Sequence, residues 1–164
     1  MSNKKSQIRE LYKLDQLETE KTDWSDKKAI KKLEKRRKDR LKVIKKLLKK
    51  NKVRTPSDLF RSAMILHHSD GIENYGLATM LSYISMTGGS KDGRWLYARA
   101  IDRLLLELGL PQKFGTQFEE VNGKWRLCLY DKRTTDKERK EFLVPTLRHQ
   151  IEVRAKELDK EDEK

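Results

Sequence analysis

Three short clusters between residues 67 and 117 carry the side chains best suited to chemistry: His67-His68-Ser69-Asp70, Asp102-Arg103, and Leu110-Pro111-Gln112-Lys113-Phe114-Gly115-Thr116-Gln117. An imidazole close to a carboxylate can hold one tautomer and move a proton. His68 is therefore a candidate general base or acid, with Asp70 or Asp102 as the carboxylate that orients it. Arg103 can clamp an anion through two parallel N–H bonds. Gln112, Thr116 and Gln117 add two amides and a hydroxyl to a candidate ligand-binding set. Pro111 and Gly115 fix an irregular backbone path there, and loops of that kind carry function more often than packing does. No stretch matches a motif of known reaction, so the sequence points to a place and not to a chemistry.

Each of these residues also has a structural reading. His67 lies four residues after Ala63 and seven after Phe60, on the apolar face of its helix, as a core histidine would. Asp102 sits between Ala98 and the Leu105-Leu106 pair. A carboxylate so placed is costly unless donors reach it, so it is expected to accept backbone N–H groups from the Gln112–Gln117 loop, with Arg99 as a local partner. Arg103 can pair with Glu107 one turn on. A metal would need a third ligand beside the histidines, and only His149 and Asp102 are available, without metal-site spacing; no metal and no cofactor are expected. Cys128 is the only cysteine, which excludes an intramolecular disulfide and favours a buried, inert thiol.

Helical periodicity places these clusters on a mainly α frame. A first helix is expected from about Lys5 to Glu20, with Ile8, Leu11 and Leu14 or Leu17 on one face. A second spans Ser25 to Lys50, capped by Asp23 or Ser25, its stripe of Ile30, Leu33, Leu41, Ile44 and Leu48 interrupted by Arg37. Thr55-Pro56-Ser57-Asp58 is a strong helix start for the third, which runs to the histidines. A fourth covers Ile72 to Met86 and is expected to bury Tyr75, Leu77, Met80, Leu81 and Ile84. The fifth, Asp92 to Leu108, is apolar almost all round near Leu104-Leu105-Leu106 and reads as the central helix; Gly109 and Pro111 stop it. The period then changes to two, with Asn122-Gly123 as a hairpin turn between strands at Gln117–Val121 and Lys124–Tyr130. A short helix capped at Thr135 and a last one starting near Pro145 complete the chain.

The 164 residues suffice for one domain, and charged residues make up 40% of them. The net charge of +13 is confined to the first third: residues 1–54 hold 21 Lys/Arg against 8 Asp/Glu, whereas the remainder balances at 18 of each. Lys27 to Lys52 alone contains 15 basic residues and two acids. Lys31, Lys35, Arg36, Lys38, Lys42, Lys45 and Lys49 form a candidate polyanion-binding face, with non-specific nucleic acid as the candidate partner. The helix has no aromatic for base stacking or membrane anchoring, so sequence-specific reading is not expected. Apolar runs fall far short of the ~18 residues of a membrane span, and no secretory signal is evident, so integral membrane association is not expected and a cytoplasmic location is.

The order His68–Asp70, Leu96–Ala98, Asp102-Arg103 and Gly109-Leu110-Pro111-Gln112-Lys113-Phe114-Gly115-Thr116-Gln117 resembles a widespread bacterial domain family of unknown function. That family has a histidine-bearing helix, an Asp-Arg pair and a Gly-x-Pro-Gln-x-(Tyr/Phe)-Gly-Thr-Gln loop. Asp15-Gln16, Asp23, Val144-Pro145 and Leu147 fall where it has similar signals, so the likeness covers about Asp15 to Ile151. This chain differs in carrying His67 where Gln is commoner and in its basic second helix. The resemblance implies one shared His–Asp–Arg–Gln–Thr–Gln site and transfers no activity.

The expected architecture is thus mainly α (α+β), a compact bundle of five to six helices with a β-hairpin near 117–130. Residues 1–54 form a basic helical arm packing on the core, 55–158 the motif-bearing core, and 159–164 a charged tail. The first expectation of function is a small ligand-binding or catalytic domain taking an unknown small molecule or protein. A nucleic-acid-associated protein and a non-catalytic structural domain are the alternatives.

Overall fold

The computed structural model describes residues 3–162. The molecule is mainly α, a helical bundle with one antiparallel β-hairpin attached. Helices α1 (Asn3–Lys21), α2 (Lys27–Lys49), α3 (Pro56–His67), α4 (Ile72–Thr87) and α5 (Lys91–Glu107) come first. Strands β1 (Phe118–Val121) and β2 (Lys124–Leu127) follow, then α6 (Asp136–Glu141), α7 (Leu147–His149), a π-helical turn at Gln150–Arg154, and α8 (Ala155–Asp162). No helix among the described residues is long and apolar enough to cross a membrane.

Local chemistry sets the helix ends. Thr55 Oγ1 accepts the Asp58 backbone N–H at 3.1 Å, with Pro56 opening α3. Thr135 and Glu138 form a reciprocal capping box on α6. The cap of α2 is Asp26, which accepts from Lys28 N at 2.7 Å, rather than Asp23 or Ser25. Asp23 closes the preceding turn by accepting from Ser25 N at 2.9 Å. At the end of α5 the Leu110 N–H reaches back to Leu105 O at 2.8 Å, and Gly109 takes the left-handed φ of 72° that this closure requires.

The main core gathers Ile8 of α1, Ile44 of α2, Ala63, Ile65 and Leu66 of α3, Ala78 and Leu81 of α4, and Leu96 and Ala100 of α5. A smaller cluster joins Ala98 to Phe114 and Val144, with Tyr97, Ile101 and Phe142 against it. Helix α5 contributes to both and is the central helix, but through its first half. Leu108 is exposed and Leu104, Leu105 and Leu106 are half-buried, contrary to the apolar-all-round expectation. Met80 (55% exposed) and Ile84 also face outward, because α4 meets its neighbours through small residues such as Ala78, Ser82 and Ser85. Ser85 Oγ donates to Pro56 O at 2.7 Å across the contact with α3.

The hairpin pairs Phe118 with Leu127 and Val121 with Lys124, and Asn122 (φ 55°) and Gly123 (φ 74°) give the two-residue turn whose twist matches the strands. The second strand ends at Leu127 rather than Tyr130. Leu129 is left 67% exposed, since the chain there turns to pair with the loop: Gln112 N donates to Leu129 O and Asp131 N to Gln112 O. The C-terminal helix α8 continues to Asp162, into the residues expected as the charged tail. Glu163 and Lys164 of the expected tail lie outside the described residues.

Candidate functional site

The Gln112–Gln117 loop is built around two fully buried polar side chains, Asp102 and Gln112. Asp102 Oδ1 accepts the backbone N–H groups of Lys113 (2.7 Å) and Phe114 (2.8 Å). Its Oδ2 accepts Thr116 N (3.0 Å) and Thr116 Oγ1 (2.8 Å). Burial pushes the Asp102 carboxyl above the usual carboxylate range, and those four donors offset only part of the rise. Gln112 Oε1 accepts Thr116 N and Gln117 N, while its Nε2 donates to Gln117 O and Cys128 O. Asp102 spends its bonding capacity on the loop, and Gln112 divides its own between the loop and the Cys128 carbonyl. Arg139 of α6, also buried, donates from Nε to Phe114 O at 3.0 Å. Phe114 then lies against Phe142, ring centroids 4.7 Å apart. Arg139 was not foreseen as a partner of the loop, and the capped helix that carries it was its only sequence signal.

Arg103 joins this loop to the histidine helix. Its Nε donates to Gln117 Oε1 at 2.9 Å and its Nη1 to the His67 carbonyl at 2.8 Å. Neither Glu107 nor any other carboxylate pairs with it among the described residues. Gln117 Nε2 in turn donates to Thr116 Oγ1 at 2.9 Å. The His67 imidazole is buried, and burial together with the positive charge of Arg103 holds it well below the usual histidine range. Arg99 does not bond Asp102. Its guanidinium stacks on Trp95, 3.9 Å from the ring centre.

His68 has a different neighbourhood. Its Nδ1 lies 2.6 Å from Oδ2 of Asp15, a fully buried residue of α1 that is 53 positions away in the chain. Asp15 Oδ1 is 3.2 Å from Arg40 Nη2, and Arg40 also pairs with Glu18 at 2.7 Å. An ionised carboxylate only accepts, so against ionised Asp15 the His68 Nδ1 is the donor and Nε2 stays outside this contact. The carboxylate in contact with His68 is Asp15, and neither Asp70 nor Asp102 bonds it. Asp70 accepts from Tyr75 Oη at 3.1 Å instead.

His68, Ser69 and Asp70 line a cavity of about 260 Å³ together with Arg37 of α2 and Trp24 of the α1–α2 turn. Arg37 Nη2 donates to Thr19 Oγ1 at 2.9 Å, and burial lowers its pKa from the ordinary arginine value. Ser69 Oγ is occupied, donating to Ile65 O, and it is the only serine or threonine among the described residues that line this cavity. Arg103 and Thr116 line another cavity, of about 440 Å³, with Arg99 and His149. The expected single site is thus divided: His68 and Asp70 face one cavity, Arg103 and Thr116 face a second, and Asp102 and Gln112 are buried between loop and helix.

Asp15 and Arg37 had signals in the sequence. Asp15 stands where the stripe Ile8–Leu11 needs its next inward residue, a place assigned in expectation to Leu14 or Leu17, both of which are exposed. Leu33, Arg37, Arg40 and Ile44 likewise follow one helical face, so the interruption at Arg37 is part of the inward stripe. No family model, curated protein or solved structure matches the chain.

Proposed function

We propose that this protein binds a small polar molecule in the cavity beside His68 and acts on it by general acid–base catalysis. The observation that carries the reading is the short His68–Asp15 contact, with the carboxylate fully buried and the imidazole on the cavity wall. A buried acceptor fixes the tautomer and orientation of the ring and stabilises the imidazolium that forms when Nε2 takes a proton. Arg37 supplies positive charge in a partly desolvated wall, where it stabilises negative charge on a substrate or transition state. Trp24, 55% exposed at the mouth, offers a flat apolar face. The volume lies just under the ~300 Å³ at which ligand pockets usually begin, which suits a small molecule or the reacting end of a larger one. With Ser69 occupied, the group that His68 activates is a water or a substrate hydroxyl.

In this reading Asp102, Gln112, Thr116 and Arg139 hold the loop. Arg103 ties that loop to the backbone of His67, next to the working histidine. The test is turnover of chromogenic phosphate mono- and diesters, carboxylic esters and glycosides by the wild type, His68→Gln and Asp15→Asn. One class is expected to be processed, with losses of about 10²-fold or more in His68→Gln. Equal turnover by wild type and His68→Gln, or none by either, overturns the reading.

A second reading keeps the basic face of α2. Lys31, Lys35, Lys38 and Lys49 are exposed and make no ion pair among the described residues, while Arg36, Lys42 and Lys45 pair with Glu18, Asp39 and Glu73. Four uncommitted ammonium groups on one helix favour polyanion binding.

A further inference from the structure

We infer that the 440 Å³ cavity between α5, the loop, the hairpin and the C-terminal helix is a second binding site, for a small phosphorylated molecule. Three arginines line it, Arg99, Arg103 and Arg154, with His149 beside them, and no Asp or Glu is on its wall. The inference is independent of the His68 reading, since the two cavities share no lining residue.

Arg99 is the telling residue. Its guanidinium makes no hydrogen bond and no ion pair among the described residues, and its Nη1 is buried without an acceptor. Leaving a buried charged donor unsatisfied is expensive, and such a group calls for an acceptor the protein does not supply. Asp102 cannot be that acceptor, because its oxygens are taken by four loop donors. Trp95 covers one face of the guanidinium and leaves its in-plane N–H groups as the route to a ligand. Burial lowers the Arg99 pKa to about 10; the charge of Asp102 opposes that effect, the nearby charge of Arg154 adds to it, and an anion between the two arginines would counter it.

The other two arginines are held in place by groups behind them. Gln117 and the His67 carbonyl fix Arg103, and Glu157 and Glu161 fix Arg154 at 3.2 and 2.9 Å. Fixed guanidinium forks lose little freedom when an oxyanion arrives. The π-helical turn places Gln150 and Arg154 on the same wall, and such turns gather at functional sites. Arg99 and Arg103, which pair with no carboxylate among the described residues, together with Arg154, which is shared with its two glutamates, suit a phosphate dianion better than a single carboxylate. The cavity is larger than a bare anion needs, and Phe118, Trp125 and Leu158 give it an apolar side for an organic body.

The experiment is a nuclear magnetic resonance titration of the whole protein with adenosine monophosphate, inorganic phosphate and glutarate. Saturable shifts of the Trp125 indole N–H and the Arg103 Nε–H are expected with the two phosphates. Affinity should fall at least about tenfold in Arg99→Gln and stay unchanged in Lys35→Gln. Shifts confined to α2, equal affinity in Arg99→Gln, an equal response to glutarate, or no saturation by about 10 mM would each overturn the proposal. If Arg99→Gln does not fold, the wild-type shift map decides the question.

Discussion

His67 and His68 are adjacent and have opposite fates. His68 meets a buried carboxylate, while His67 is enclosed beside Arg103 with its Nδ1 lacking a partner among the described residues. Burial, reinforced by Arg103, keeps the His67 pKa well below its ordinary value in the folded state, whereas the unfolded chain returns it to about 6.5. Between those two values the unfolded state binds more protons, so stability rises with pH. The contribution is complete above about pH 7 and is lost on acidification, at up to about 1.4 kcal/mol per pH unit. Urea unfolding at pH 7.5, 6.5 and 5.5 should show this fall, and His67→Gln should flatten it. An identical slope in the variant would mean that other groups carry the acid sensitivity. At this scale the sequence was legible where burial forced a bonding need. Asp102, flanked by Ala98, Leu105 and Leu106, had to find donors, and the loop supplied all four. Asp15 was not legible in the same way, because its partner lies 53 residues away and their meeting depends on how α1 docks against α3.

At the scale of elements, caps and turns were the most legible features, since Thr55, Thr135 and Asn122-Gly123 act on backbone a few atoms away. Faces were less so. Met80 and Ile84 are apolar, yet α4 packs through Ala78, Ser82 and Ser85, and hydrophobicity alone does not say how near two helices come. Two glycines measure that nearness. A Cβ on Gly93, in the first turn of α5, would stand 2.8 Å from both the Met86 backbone N and Ser85 Oγ. A Cβ on Gly76, in α4, would meet nothing within 4 Å. Helix propensity favours alanine at both positions by about 1 kcal/mol, so packing decides the sign. Gly76→Ala should stabilise the protein by roughly 0.5–1 kcal/mol, and Gly93→Ala should destabilise it by about 1–3 kcal/mol as α4 and α5 are pushed apart. Thermal unfolding of both variants checks the pair. Stabilisation by Gly93→Ala would show that the helices separate at little cost.

At the scale of the whole molecule, the basic excess and the helical core meet on α2. Leu33 and Ile44 pack inward, Arg37 and Arg40 face the carboxylates of α1, and the lysines remain outside. The excess of positive charge in residues 1–54 is therefore of two kinds. Arg36, Arg40 and Lys45 are drawn into pairs that tie helices together, at 2.9, 2.7 and 3.1 Å. Lys31, Lys35, Lys38 and Lys49 are exposed and uncommitted. Composition showed the excess but not this division, which depends on which acids α1 and α4 bring within reach. A polyanion should discriminate between the two kinds. Replacing Lys31, Lys35, Lys38 and Lys49 by Gln should weaken binding to duplex DNA or heparin strongly and reduce its dependence on salt by roughly the number of phosphate contacts removed. Replacing the paired Arg36, Lys42 and Lys45 should cost less affinity, because those charges are already partly neutralised by carboxylates. Neither set touches the core, so circular dichroism should be unchanged, and His68→Gln should bind the polyanion as the wild type does. Binding measured from about 50 to 200 mM salt separates the outcomes. Absence of wild-type binding at the lowest salt would remove nucleic acid as a partner of α2. A stronger loss in the paired set would show that the polyanion follows the ion-paired side of α2 rather than its uncommitted lysines.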